Sequence, residues 1–270
     1  MDGRINGAQA MTQFETIKLA FDERGIMRMI LNRPGRRNAL DAVMIRELTE
    51  AARLIAADPV VRVVILAGEG SNFCAGADLE WMQQQFAASP EERMREATTL
   101  AEMFRSIDEL PKFVIGVVAG PAFGGGVGLA AVCDVVIAGS DAKFALSETR
   151  LGLIPATIAP YLHRRIGAAA MRRLALHGEA FSAAQAMSIG LVSYAVDEGD
   201  IEAMTERQIA QALICAPGAV ADAKSLFRKI ASGSAGEAEM VDALVRRWSA
   251  EEARTGIAAF FKREKAPWQR

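Results

Sequence analysis

A chain of 270 residues, 51% hydrophobic and carrying a net charge of −2, has the length for one large α/β domain with a helical annex and the apolar content for a sizeable core. The near balance of charge and a pI of about 5.9 exclude a global pull toward nucleic acid or an anionic membrane. No apolar run reaches the roughly 18 residues of a membrane span, so neither kind of partner is expected.

The polar N-terminus, "MDGRINGAQA", reads as a frayed extension over residues 1–11, with Met11 as a second candidate start. "FETIKLAFDERGIMRMILNRP" predicts two short strands turning at Glu23-Arg24-Gly25. "DAVMIRELTEAARLIAADP" has helical apolar spacing, with Asp41 available as N-cap. "VRVVILAG" is a buried strand, followed by a helical region over 79–110 and the strand "FVIGVVAG". A glycine run, a short helix from about Gly126, and the strands "VVIAG" and "AKFAL" come next. Beyond them the chain is mostly helical: 168–178, 182–190, 201–216, 219–231, and one long terminal helix over 239–265. Strands alternating with helices imply right-handed crossovers and a largely parallel sheet over 12–200, with 201–270 as a helical region.

"GPAFGGGVGLAAVCD" places Gly124, Gly125, Gly126 and Gly128 between a strand and a helix. Two readings stay open. Backbone N–H groups at such a helix start can hold a developing oxyanion, or the glycines serve close backbone packing in a tight turn. A dinucleotide site fits worse, because the spacing is not G-x-G-x-x-G and no acidic residue ends a following strand. A second loop, "GSNFCAGADLEWM", has the same strand-to-helix setting and a small-residue centre at Ala75-Gly76-Ala77. Two such loops can each lend one N–H to a single oxygen. Downstream, "FALSETRLGLIPA" carries Glu148 among small and apolar residues. His163 and His177 lie in no ligand pattern, so no metal is expected. Cys74, Cys133 and Cys215 read as free thiols of a reducing, cytoplasmic compartment.

Taken with "LNRPGRRNAL" and "GEAFSAAQAMSIGLVSYAV", these motifs span nearly the whole chain and resemble the crotonase, or enoyl-CoA hydratase/isomerase, family. The resemblance implies an α/β spiral of ββα units with a C-terminal helical trimerisation region, assembled as a homotrimer or homohexamer. It implies an acyl-CoA substrate and no separate cofactor. It places the thioester oxygen between the N–H groups of Ala77 and Gly125, with Gly124 beside them and Glu148 as acid/base. Ala75 and Leu79 would flank the adenine and pantetheine, and Arg37 and Ala39 would line the CoA entrance. Lys265, in the terminal helix, would approach the CoA phosphates of a neighbouring subunit.

Hydratases of the family usually carry two facing glutamates, and the second falls at Gly128 in this sequence. Either a one-base reaction such as double-bond isomerisation follows, or a carboxylate comes from elsewhere, the substrate included. A narrower resemblance, to bacterial hydratases of branched glutaconyl-CoA thioesters of leucine and terpene breakdown, favours the second. Gly128 would then leave room for a C3 branch or a distal carboxylate, and Trp81 would cover the acyl pocket. Asp78 is either a polar pocket group or the cap of the next helix. Arg150 is either a carboxylate partner or a structural ion pair, and Arg36 with Arg37 a phosphate-facing pair or solvated surface. One relative of the family binds AU-rich RNA through a lysine-studded helix. The matching helix here offers Arg46 and Arg53 against Asp41, Glu47 and Glu50, so RNA binding is not expected.

Overall fold

The computed structural model describes residues 14–269. The expected extension over 1–11 and the question of Met11 lie outside the described residues. Strands β1 (Ile17–Asp22) and β2 (Ile26–Leu31) form the expected hairpin, and helix α1 (Ala42–Ala57) starts at Asp41, whose carboxylate accepts from Met44 N. Strands β3 (Val63–Gly68), β4 (Phe113–Val118) and β6 (Val135–Gly139) continue a sheet that ends at β9 (Tyr194–Val196), in the order β1-β2-β3-β4-β6-β9. Every neighbouring pair after the hairpin is parallel. Both faces of this sheet are covered. On β3, Val64 and Leu66 join the main core, while Val63 and Ile65 join a second cluster with Ile201 and Ile209 of helix α7 (Ile201–Leu213). Two covered faces explain why β3 reads as an unbroken apolar run rather than an alternation.

A smaller sheet holds β5 (Ala122–Phe123), β7 (Lys143–Ala145) and β8 (Phe181–Ser182). The chain therefore repeats one unit: a strand in the large sheet, a short strand in the small one, then a helix. β4–β5–α4 (Gly125–Ala131) and β6–β7–α5 (Ala159–His177) follow it. β3 followed by the Cys74 bridge to Ala122 and then α2 (Leu79–Ala87) is the same unit with its short strand reduced to one residue.

The helical region over 79–110 is made of two helices, because Ser89 and Pro90 begin α3 (Pro90–Asp108) with a reciprocal cap between Ser89 and Glu92. Helix α6 (Ala183–Ser188) leads to β9, and α8 (Pro217–Ala231) begins the terminal layer. The long terminal helix expected over 239–265 is also two, α9 (Glu237–Trp248) and α10 (Glu251–Lys262), parted at Ser249-Ala250. α10 stops at Arg263 in the left-handed region, so Lys265 lies beyond the helix and not within it. No helix among the described residues is long and apolar enough to cross a membrane.

Candidate active site

The repeat fixes where chemistry gathers. Three successive units leave the small sheet, and within a few residues each presents a group to one cavity of about 330 Å³: Ala77 after the Cys74 bridge, Gly125 after β5, and Glu148 after β7. The three segments are laced together. Phe123 N donates to Cys74 O at 2.9 Å, and Gly124 N donates to Ala145 O at 2.8 Å.

Ala77 is held from one side by Leu40. Leu40 N donates to Gly76 O at 2.8 Å, and Asp78 N donates to Leu40 O at 2.9 Å. In such a bridge the residue between has its own N–H turned the other way. Neither Ala77 N nor Gly125 N has an acceptor among the described residues. Gly125 opens α4, where the first amides of a helix have no internal partner. Gly124, just before it, has φ +47 and ψ −115, a conformation side chains rarely adopt, and a Cβ there would stand 3.1 Å from Glu148 Oε1. Its bareness lets the carboxyl lie against the loop.

Glu148 begins a short 3-10 turn, Glu148–Leu151, and its Oε2 is buried with no hydrogen-bond partner. Burial pushes its pKa above the usual carboxylate value, and a hydrogen bond from its own backbone opposes that shift without cancelling it. Among the described residues no other Asp or Glu and no cationic side chain borders the cavity. The remaining polar groups there are Ser147, Thr157 and Gln85. Gln85 Nε2 donates to Trp81 O at 3.4 Å, while its buried Oε1 has no partner. Sequence reasoning missed Gln85, because a glutamine on a polar helix face gives no signal until the fold turns it inward.

The remaining expected positions separate into two groups. Ala75, Leu79, Trp81 and Gly124 border the cavity. Trp81 is buried and its Nε1 donates to Glu96 Oε2 at 3.1 Å, which fixes the ring in the wall. Arg37, Ala39, Asp78, Gly128 and Lys265 do not border it. Asp78 is not a pocket group: at 5% exposure it caps α2 through Glu80 N and Trp81 N and pairs with Arg33 at 3.1 Å. Arg37 contributes its carbonyl, which accepts from Ala75 N at 3.0 Å, while its side chain is exposed. Ala39 is buried, and its carbonyl accepts from Arg33. Arg36 pairs with Glu80 at the surface, and Arg150 donates to His177 O at 3.4 Å. Lys265 borders a separate surface groove with Lys262 and Arg254.

"LNRPGRRNAL" holds two braces that the sequence reading did not single out. Asn38, fully buried at φ +54, donates through Nδ2 to Glu69 O and Asn72 O and accepts from Arg33 N. Arg33 ties Asp41 and Asp78 together. Between them they set the backbone path of the first loop, and so the direction of the Ala77 amide.

Gly128 makes no room. A Cβ there would stand 2.3 Å from Ile158 Cγ2 and 2.9 Å from Phe104 Cε1, so the space is already filled by side chains that themselves border the cavity. Gly126 is bare for a similar reason, since Cys74 O would stand 2.4 Å from its Cβ. Close packing therefore explains these two glycines, while Gly124 and Gly125 face the cavity.

The chain is similar to known proteins over nearly its whole length. A family model described as enoyl-CoA hydratase/isomerase matches residues 22–270. An enoyl-CoA hydratase of Alternaria alternata, AFT6-1, is 34% identical over 91% of this chain and 82% of its own. The crystal structure of an enoyl-CoA hydratase from Shewanella pealeana superposes with a TM-score of 0.90 at 32% identity, over 95% of this chain and 97% of that one. Pseudomonas aeruginosa AtuE does so with a TM-score of 0.90 at 36% identity, over 95% and 100%. With two free amides and one buried carboxyl brought to a single cavity by a repeated ββα unit, the chain belongs to the enoyl-CoA hydratase/isomerase family and has its crotonase fold.

Proposed function

We propose that this protein hydrates the double bond of a 2-enoyl-CoA thioester, with Glu148 as its one acid/base. The observation that carries the reading is the shared cavity. Two amides without acceptors, at Ala77 and Gly125, border the same space as a carboxyl without a partner. The thioester oxygen lies between the amides, where negative charge gathers as the enolate-like state forms, and each such donor is worth about 3 kcal/mol. Glu148 takes a proton from water as the hydroxyl adds to C3, then returns a proton to C2 on the same face. The carboxylate is regenerated and no second base is used. The raised pKa brings its proton affinity closer to the working pH.

The finer reading is a 3-branched glutaconyl thioester that brings its own carboxylate. The lack of a second carboxylate at the cavity among the described residues supports it, as do the hydroxyls of Ser147 and Thr157 and the amide of Gln85 on the wall. It no longer rests on room at Gly128. The CoA moiety runs outward past Ala75 and exposed Leu79, with its phosphates toward Lys265 of a neighbouring copy in a trimer or hexamer. Double-bond isomerisation is the second reading, favoured by the single carboxyl, because one base can remove and return a proton.

Incubation in H₂¹⁸O with straight, 3-methyl-branched and carboxylated enoyl-CoA thioesters tests both. Hydration puts ¹⁸O at C3, most efficiently in the branched carboxylated substrate. A shifted double bond without ¹⁸O assigns isomerisation. Faster turnover of crotonyl-CoA than of branched glutaconyl thioesters removes the finer reading.

A further inference from the structure

The wall at Gly128 has an owner. Ile158, 2% exposed, precedes α5 on a backbone pinned by hydrogen bonds from Ala159 N to Pro155 O at 2.9 Å and from Leu162 N to Ile158 O at 3.0 Å. Pro160 enters the first turn of that helix and further restricts it. Its Cγ2 would stand 2.3 Å from a Cβ at position 128, and its own Cβ 3.0 Å away. A side chain at 128 and an isoleucine at 158 are thus mutually exclusive on this backbone. Phe104 closes the other side at 2.9 Å.

We infer that Ile158 is a specificity-determining residue, whose branched side chain fills the volume left bare by Gly128 and gives the cavity an apolar wall against which the β-carbon of the acyl group packs. The inference deepens the proposed function and rests on the thioester being held as described there. It has two consequences. Water is excluded from this wall, so the reacting water is confined to the Glu148 carboxyl. The wall also sets how large a C3 substituent can be. A β-branched side chain on a pinned backbone is a stiff stop, because it has few rotamers to yield with.

The test is a set of size exchanges read as specificity ratios. Ile158→Ala opens the wall, and kcat/KM for a 3-ethyl-branched enoyl-CoA should rise relative to crotonyl-CoA by about tenfold or more, the usual worth of a methylene in an apolar pocket. Gly128→Ala drives a methyl into Ile158 and should lower kcat/KM for every thioester by about tenfold or more. Adding Ile158→Ala to Gly128→Ala should recover much of that loss. An unchanged branched-to-straight ratio in Ile158→Ala overturns the inference. So does a Gly128→Ala enzyme as active as wild type, which decides the matter even if Ile158→Ala does not fold. Failure of the hydration reading looks different: wild-type enzyme then adds no ¹⁸O to any thioester, while the same ratios remain readable on isomerisation.

Discussion

The core and the terminal helical layer leave opposite demands unmet. Behind the site the sheet core is buried and apolar, Leu79, Phe86, Leu151 and Ile154 stay exposed at the cavity rim, and the buried side-chain atoms left without a partner are polar: Oε2 of Glu148 and Oε1 of Gln85. Helices α8 and α9 bury no residue and α10 buries only Ala259, while Phe260 and Phe261 are each 79% exposed. Each region is thus incomplete in the currency of what should fill it. A buried carboxyl awaits a polar reactant, and an amphipathic layer awaits apolar surface. Helices with an apolar face left uncovered among the described residues fit the proposed assembly with further copies of the chain.

The sharpest way to break this contrast is at the core. Glu148→Gln keeps the shape and removes the proton carrier, so kcat should fall about 100-fold or more with thioester affinity largely kept. Single-turnover rates and binding titration measure the two separately. An active variant would take Glu148 out of the chemistry and make its burial a packing accident.

At the terminal layer the expected loss is of assembly. Phe260→Ser with Phe261→Ser removes two rings whose burial is worth about 3–6 kcal/mol per subunit. Light scattering should show a trimer or hexamer becoming smaller species, while circular dichroism stays that of a folded chain. A wild-type monomer at micromolar concentration contradicts the reading of this layer. Lys265→Glu is a smaller perturbation. Outside the helix, in a groove with Lys262 and Arg254, the side chain carries a rim charge, and its reversal should weaken CoA-ester binding by about fivefold. No change in affinity at low salt marks the tail as solvated only.

Much of the fold was legible because its signals were local. The hairpin at Glu23-Arg24-Gly25, the Asp41 cap and the buried strands follow from turn residues, a capping side chain and apolar runs. The short strands β5, β8 and β9 were not legible, since two or three residues carry no periodicity and exist only through their neighbours. In the site, Ala77, Gly125 and Glu148 were found from loop composition and family resemblance, and they border one cavity. Gly128 shows the limit. A glycine announces that something comes close, and only the fold says whether a ligand or Ile158 does so. Asn38 and Arg33 were passed over for the same reason: their partners lie on segments brought together by the spiral.

The last and smallest effect concerns stability, and it distinguishes a functional carboxyl from a merely buried one. The pKa of Glu148 is raised in the folded chain, chiefly because burial disfavours its charged form. The folded state therefore binds this proton more tightly than the unfolded state does. Its contribution to stability is fully present below the unfolded carboxylate value, about 4.3, and is lost as pH rises through the higher folded value. Glu148→Gln carries no such charge and should escape that loss. Its melting temperature should exceed that of wild type near neutral pH, and the difference should shrink toward pH 4. The same substitution then lowers turnover and raises stability, as expected where a site holds an unfavourable group for the sake of its chemistry. Equal pH dependence of the two melting curves would show that the carboxyl is as well solvated folded as unfolded, and the contrast between core and terminal layer would lose its polar half.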